Sequence, residues 1–176
     1  IMPITDTDFN NKKSAFLENQ LAELMKKVKD TEGNMNKKLA VAILAAGLGK
    51  RMKSPDKPKV MFEINGRPMI DYVVELAFMV NAEKVVPIVG HHRELVIDFL
   101  NKTFAGKNIE YAVQAEQLGT GHAVIQTAEL LKDFDGEILI LSGDVPILKY
   151  ETVEELINEH FEKNNTATLL TTVFEN

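Results

Sequence analysis

Leu39-Ala40-Val41-Ala42-Ile43-Leu44 is an unbroken apolar run, and Ala45-Ala46-Gly47-Leu48-Gly49-Lys50-Arg51-Met52 follows it directly. A short run with no polar face reads as a strand buried on both sides, the habit of parallel sheets. Downstream, strands and helices alternate. A short strand Val60–Ile64 runs into an Asn65-Gly66 turn. Pro68 then suits the first turn of a helix through Val80, with Ile70, Val73, Val74, Ala77 and Val80 on one face. The pattern continues as strand Val85–Val89, helix Glu94–Thr103, strand Ile109–Val113, helix Thr120–Lys132, strand Ile138–Leu141, helix Glu151–Phe161 and a β-rich run Thr166–Phe174. This alternation predicts an α/β, Rossmann-like domain, a mostly parallel sheet with helices on both faces.

Upstream the sequence changes character. Residues 1–11 are polar and patternless. From Ser14, a plausible N-cap, Leu17, Leu21, Leu24 and Val28 form one helical stripe that stops before Gly33. Residues 1–34 therefore read as an N-terminal extension with one amphipathic helix, and residues 35–176 as the main domain. The stripe is expected to pack on the same molecule, with a homo-oligomer contact as the alternative.

The chain has 176 residues, 26 acidic and 20 basic, a net charge of -6 and no cysteine. Disulfides, thiolate metal sites and a cysteine nucleophile are excluded. The longest apolar run, Leu39–Ala46, falls well short of the about 18 residues of a membrane helix. No secretion signal opens the chain, so a cytoplasmic protein is expected, without membrane attachment. The acidic total argues against nucleic acid as a partner. Charge is nonetheless uneven: Met35–Pro68 carries +6, leaving -12 for the rest. A basic loop in an acidic protein suits a small anionic ligand, or is simply a solvated lysine-rich loop.

Ligands of open α/β sheets bind at the carboxyl ends of strands, and three such ends are chemically unusual. At Leu44–Met52, small residues let the backbone approach a phosphate. Met52 breaks the dinucleotide fingerprint, and Leu44 and Arg51 break the P-loop pattern. The bland alternative is a tight corner. Arg51 and Lys59 flank Ser54-Pro55-Asp56-Lys57-Pro58, which cannot be regular helix, so a loop folding back could aim both cations at one triphosphate. At Gln114–Ala123, two glutamine amides can read a nucleobase edge, while Thr120 can cap the following helix. His122 suits packing or capping at the helix start better than a base role, and His91-His92 suits a surface pair. At Ile140–Pro146, Asp144 follows an apolar strand and Gly143, where it can hold a magnesium ion or merely form a turn.

Taken together, Leu-Ala-Ala-Gly-x-Gly-x-Arg-Met with Pro58-Lys59, then Gln-x-x-Gln-Leu-Gly-Thr-Gly-His-Ala, then Gly-Asp-x-Pro resemble the sugar-phosphate nucleotidyltransferases. The middle motif is similar, more narrowly, to the N-acetylglucosamine-1-phosphate uridyltransferases. The resemblance covers about Lys38 to Lys149. It implies that Arg51 and Lys59 act on the phosphates. Leu44, Ala45, Ala46, Gly47 and Gly49 would line the nucleotide, and Gln114, Gln117, Gly119 and Thr120 would bind uridine. Asp144 would ligate Mg²⁺. The implied reaction joins UTP to N-acetylglucosamine 1-phosphate with release of pyrophosphate, and its product feeds cell-wall and lipopolysaccharide synthesis. Lys50 replaces the family's usual threonine, and one extra residue separates Arg51 from Lys59. The sugar-gripping residues and a second metal ligand, an asparagine, are expected beyond Asn176, so the chain reads as the nucleotide-binding part of the fold.

Two rivals share these motifs. One is a nucleotidyltransferase for another sugar or alcohol phosphate, or another base. The other is a non-catalytic nucleotide-sugar-binding module.

Overall fold

A computed structural model of the chain describes residues 38–47, 49 and 57–172. The described residues from Leu39 on form one compact unit. The expected extension helix, the boundary at residue 35 and Arg51 lie outside the described residues.

Strand β1 spans Leu39–Leu44, with its first five residues buried. It pairs in parallel with β4, Lys84–Val89, on one side and with β6, Glu137–Ser142, on the other. A short β5, Ala112–Val113, completes the order β5-β4-β1-β6. Alternation along these strands decides what each face receives. Leu39, Val41 and Ile43 join Val85, Val89, Leu139 and Leu141 on one face. There they meet α1 (Met69–Met79), α2 (Arg93–Thr103) and α5 (Tyr150–Glu162) through Ile70, Val73, Val74, Val96, Leu100 and Val153. Ala40, Ala42 and Ala46 face the other way with Val86 and Ile88, against Ala123 of α3 (Thr120–Ile125) and Leu131 of α4 (Ala128–Leu131). Both faces are covered by helices, as the alternation required.

Four local expectations change. Val60–Ile64 is not one strand: Lys59–Met61 forms a 3₁₀ turn after Pro58, and only Glu63–Ile64 (β2) is extended. β2 pairs antiparallel with β3, Arg67–Pro68, across Asn65-Gly66, both at positive φ (53° and 77°) as a two-residue hairpin turn requires. Ile109–Val113 keeps only Ala112–Val113 and a single bridge from Ile109 to Val85. The helix expected over Thr120–Lys132 breaks at Gln126–Thr127, where the Thr127 hydroxyl donates to the Val124 carbonyl at 2.8 Å and competes with the helical ladder. Over Thr166–Thr172 no strand forms. Its β-prone residues meet no neighbouring strand, and the Thr168 hydroxyl is engaged by His160 (2.9 Å) and Asn165 (3.2 Å).

Candidate active site

The carboxyl ends of all four parallel strands open on one side of the sheet. A cleft of about 270 Å³ lies there. The β1 end supplies Leu44, Ala46 and Gly47 as its floor, and the 3₁₀ turn supplies Lys59 and Val60. Gln114, Gln117, Gly119 and Thr120 come from the segment after β5, with Ala123 of α3 beside them. Ser142 and Asp144 close the remaining wall at the end of β6.

The Lys59 ammonium and the Asp144 carboxylate meet at 2.5 Å, each side chain about one-third exposed (34% and 35%). Two close approaches make this meeting possible. The Gly143 N–H donates to the Leu44 carbonyl at 3.0 Å. A Cβ on Gly143 would lie 2.8 Å from that carbonyl oxygen and 3.1 Å from Val60. Only glycine lets the chain leaving β6 stay this close to the end of β1 and to Val60, with Asp144 following directly beside Lys59. Since a partly exposed pair contributes about 0–1 kcal/mol, either member can exchange its partner for a ligand at small cost.

The opposite wall is more tightly held. Gln114 continues β5 by donating its N–H to the Val89 carbonyl at 2.8 Å, and the residue is 4% exposed. Its side-chain nitrogen lies 3.1 Å from the Gly119 carbonyl and 3.1 Å from His122 Nδ1. Gln117 Nε2 lies 3.4 Å from the Gln114 carbonyl and against Gly90, where a Cβ would stand 3.0 Å from that nitrogen and 2.9 Å from the Ala46 oxygen. Gly90 thereby lets the glutamine segment rest on the β1 loop.

Of the residues singled out from sequence, Leu44, Ala46, Gly47, Lys59, Gln114, Gln117, Gly119, Thr120 and Asp144 share the cleft. Ala45 does not line it. Its side chain is in the core, and its N–H donates to the Ile88 carbonyl at 2.9 Å. Gly49 packs behind Lys59 at a φ of 57°. Thr120 is no cap: Gly119 occupies the N-cap position of α3, and Thr120 is the first helical residue. Arg51 lies outside the described residues. The sequence reading missed Val60, Ala123, Ser142 and the packing role of Gly90. A glycine directly after a parallel strand is the signal that was available for Gly90. His91 and His92 lie against each other, ring centres 3.9 Å apart and tilted at 55°, and neither lines the cleft.

Residues 40–176 match the nucleotidyl transferase family. A protein of Picosynechococcus sp. described as "Bifunctional protein GlmU" is 46% identical over 138 residues, 78% of this chain and 30% of that protein. One of the same description from Latilactobacillus sakei is 50% identical over 129 residues, 73% of this chain and 27% of its own length. The chain thus spans under a third of these curated relatives. Among solved structures, a UDP-glucose pyrophosphorylase complexed with UDP-glucose superposes with a TM-score of 0.55 at 21% identity, covering 72% of this chain and 55% of its own. 4-Diphosphocytidyl-2C-methyl-D-erythritol synthase from Anaerococcus prevotii gives 0.54 at 22% identity, with 72% and 52% covered. These two likenesses establish the fold.

Proposed function

The chain belongs to the nucleotidyl transferase family, and on that premise we propose that it binds UTP and transfers the uridylyl group to N-acetylglucosamine 1-phosphate. The observation that carries this reading is the shared cleft, with a cation and a carboxylate at one end and two base-reading amides at the other. The choice of sugar rests on the resemblance of the Gln114–Ala123 motif to the N-acetylglucosamine-1-phosphate uridyltransferases.

In this reading Gln114, Gln117, Gly119 and Thr120 hold the uridine, and Leu44, Ala46 and Gly47 form the floor along which the nucleotide lies. Lys59 leaves Asp144 for a phosphate oxygen, an exchange its exposed position makes inexpensive. An oxygen of the sugar phosphate attacks the α-phosphorus in line. A new P–O bond forms as the bond to the β-phosphate oxygen breaks, and pyrophosphate departs with that electron pair. Catalysis is then positioning and charge neutralisation, with no protein nucleophile.

Asp144 fits magnesium by its chemistry, a partly exposed hard oxygen donor beside the phosphate lysine. Among the described residues no three acidic or histidine side chains form a ready cage. Magnesium is commonly held by one or two carboxylates, with substrate phosphates and water completing its shell. When bound, it supplies neutralisation of triphosphate charge. No helix among the described residues is long and apolar enough to cross a membrane. We place the activity in the cytoplasm, supplying cell-wall and lipopolysaccharide synthesis.

Calorimetric titration with UTP, CTP and dTTP, with and without magnesium, tests the reading. Magnesium-dependent binding with UTP preferred is the expected result, followed by pyrophosphate release on adding the sugar phosphate. Equal binding of all three, or none, overturns it.

A further inference from the structure

His122 stands behind the base-reading wall, half-buried in the first turn of α3, and the mechanism above gives it no part. Its ring joins two glutamines. Nδ1 lies 3.1 Å from the side-chain nitrogen of Gln114, and Nε2 lies 3.2 Å from that of Gln126. Each amide also touches a backbone carbonyl, Gly119 at 3.1 Å for Gln114 and His122 itself at 3.0 Å for Gln126. A carbonyl oxygen only accepts, so the Gln114 atom facing Gly119 is the NH₂ nitrogen. A neutral imidazole has one bare nitrogen, and only one glutamine can donate to it. Gln114 is nearly inaccessible, while Gln126 is partly exposed, so Gln126 is the amide that can give up its contact with the His122 carbonyl and turn its oxygen toward the ring. The buried amide takes the lone pair, because leaving it unpaired costs more than rotating a solvated one. His122 therefore carries its proton on Nε2 and accepts at Nδ1.

Both hydrogens of the Gln114 amide are then committed, one to Gly119 and one to His122. Its oxygen accepts from no described residue. No buried side-chain nitrogen or oxygen among the described residues lacks a partner, so this oxygen opens on the cleft that Gln114 lines. We propose that His122 is a positioning residue that locks the Gln114 amide with its oxygen toward the base. The site then selects a pyrimidine that donates from its ring N–H, uracil or thymine, over cytosine, whose corresponding nitrogen is bare.

A free amide would serve both kinds, since flipping it converts an acceptor–donor pair into a donor–acceptor pair and matches cytosine as well as uracil. The lock removes the second option. This inference rests on the uridylyl reading, and its test separates the two.

The nucleotide-free full chain, ¹⁵N-labelled at histidine, reports the tautomer by NMR, and the Nε2–H form is expected. Calorimetry then compares UTP, CTP and dTTP on the wild type, His122→Leu and His122→Asn. Asparagine places an acceptor oxygen where Nδ1 stood. His122→Leu is expected to lower the UTP-to-CTP affinity ratio about tenfold, the order expected for loss of one directed hydrogen bond. The UTP-to-dTTP ratio stays fixed, because both bases present the same N–H. His122→Asn should retain both ratios within about twofold. Damage to the fold alone would weaken all three nucleotides together. An Nδ1–H tautomer, or a UTP-to-CTP ratio unmoved by His122→Leu while the wild type prefers UTP, overturns the His122 role alone. A wild type without that preference overturns the uridylyl reading and this selectivity with it. If His122→Leu does not fold, the tautomer and the His122→Asn ratios decide.

Discussion

Arg67 with Asp71, and Lys59 with Asp144, are both cation–carboxylate pairs within reach of the β2–β3 hairpin, yet they are held in opposite ways. Arg67 Nε donates to Asp71 at 2.8 Å, its Nη2 donates to Glu75 at 2.9 Å, and its guanidinium lies 4.4 Å above the Tyr72 ring. Those hydrogen bonds, above all the one to Asp71, hold the Arg67 pKa above its already high ordinary value. Asp71 is 6% exposed, and all three partners belong to α1. Among the described residues Lys59 has a single carboxylate partner, 85 residues away, and both members meet solvent in the cleft. A planar fork with several fixed acceptors is over-determined and ties a hairpin to a helix. A point charge with one exchangeable partner holds little structure and is available to a ligand.

Breaking these pairs should separate function from stability. The largest effect is expected for Asp144→Asn, which keeps the shape but removes the charge. Magnesium-dependent UTP turnover should fall at least about 100-fold, as for loss of an essential charge-stabilising group, while the melting temperature moves by less than about 2 °C, since the pair is worth little. Pyrophosphate release and a thermal melt check this, and parallel losses would erase the distinction. Lys59→Ala should weaken UTP binding about tenfold, the scale of one charge-assisted hydrogen bond, again with a nearly unchanged melt. For Arg67→Ala the signs reverse. Leaving buried Asp71 without its partner should cost about 1–2 kcal/mol, lowering the melting temperature by roughly 3–6 °C, with UTP affinity measured by calorimetry unchanged. Lys163→Ala removes an exposed i, i+4 contact to Glu159 at the end of α5. It should leave both melt and affinity where they were, marking the baseline for the other three.

What the sequence disclosed follows the same division between local and distant causes. The apolar run of β1 and the stripe of α1 were legible because burial and periodicity are written in neighbouring residues. The three strand ends were legible because ligand-facing loops follow strands in a parallel sheet. The break at Thr127 escaped notice because one hydroxyl outweighed an otherwise helical pattern. The Val60–Ile64 run looked like a strand, but Pro58 sets up a 3₁₀ turn before any pairing begins. Nothing in the order of residues announces that Lys59 meets Asp144, or that His122 meets Gln114. Those meetings are made by the close approach of Gly143 to the end of β1 and by the turn at Gly119. Thr120 illustrates the limit most sharply, having the chemistry of a cap while the backbone put Gly119 in that place.

The order β5-β4-β1-β6 also makes the sheet a caliper. Gln114 leaves one outer strand and Asp144 the other, with two strands between them. At about 4.8 Å per strand the jaws stand roughly 14 Å apart. That opening is set by backbone hydrogen bonds along the whole sheet rather than by any side chain in the cleft. A ligand gripped at both ends is therefore measured for length before its chemistry is read, and substitutions at either jaw can change what is gripped without changing the gauge.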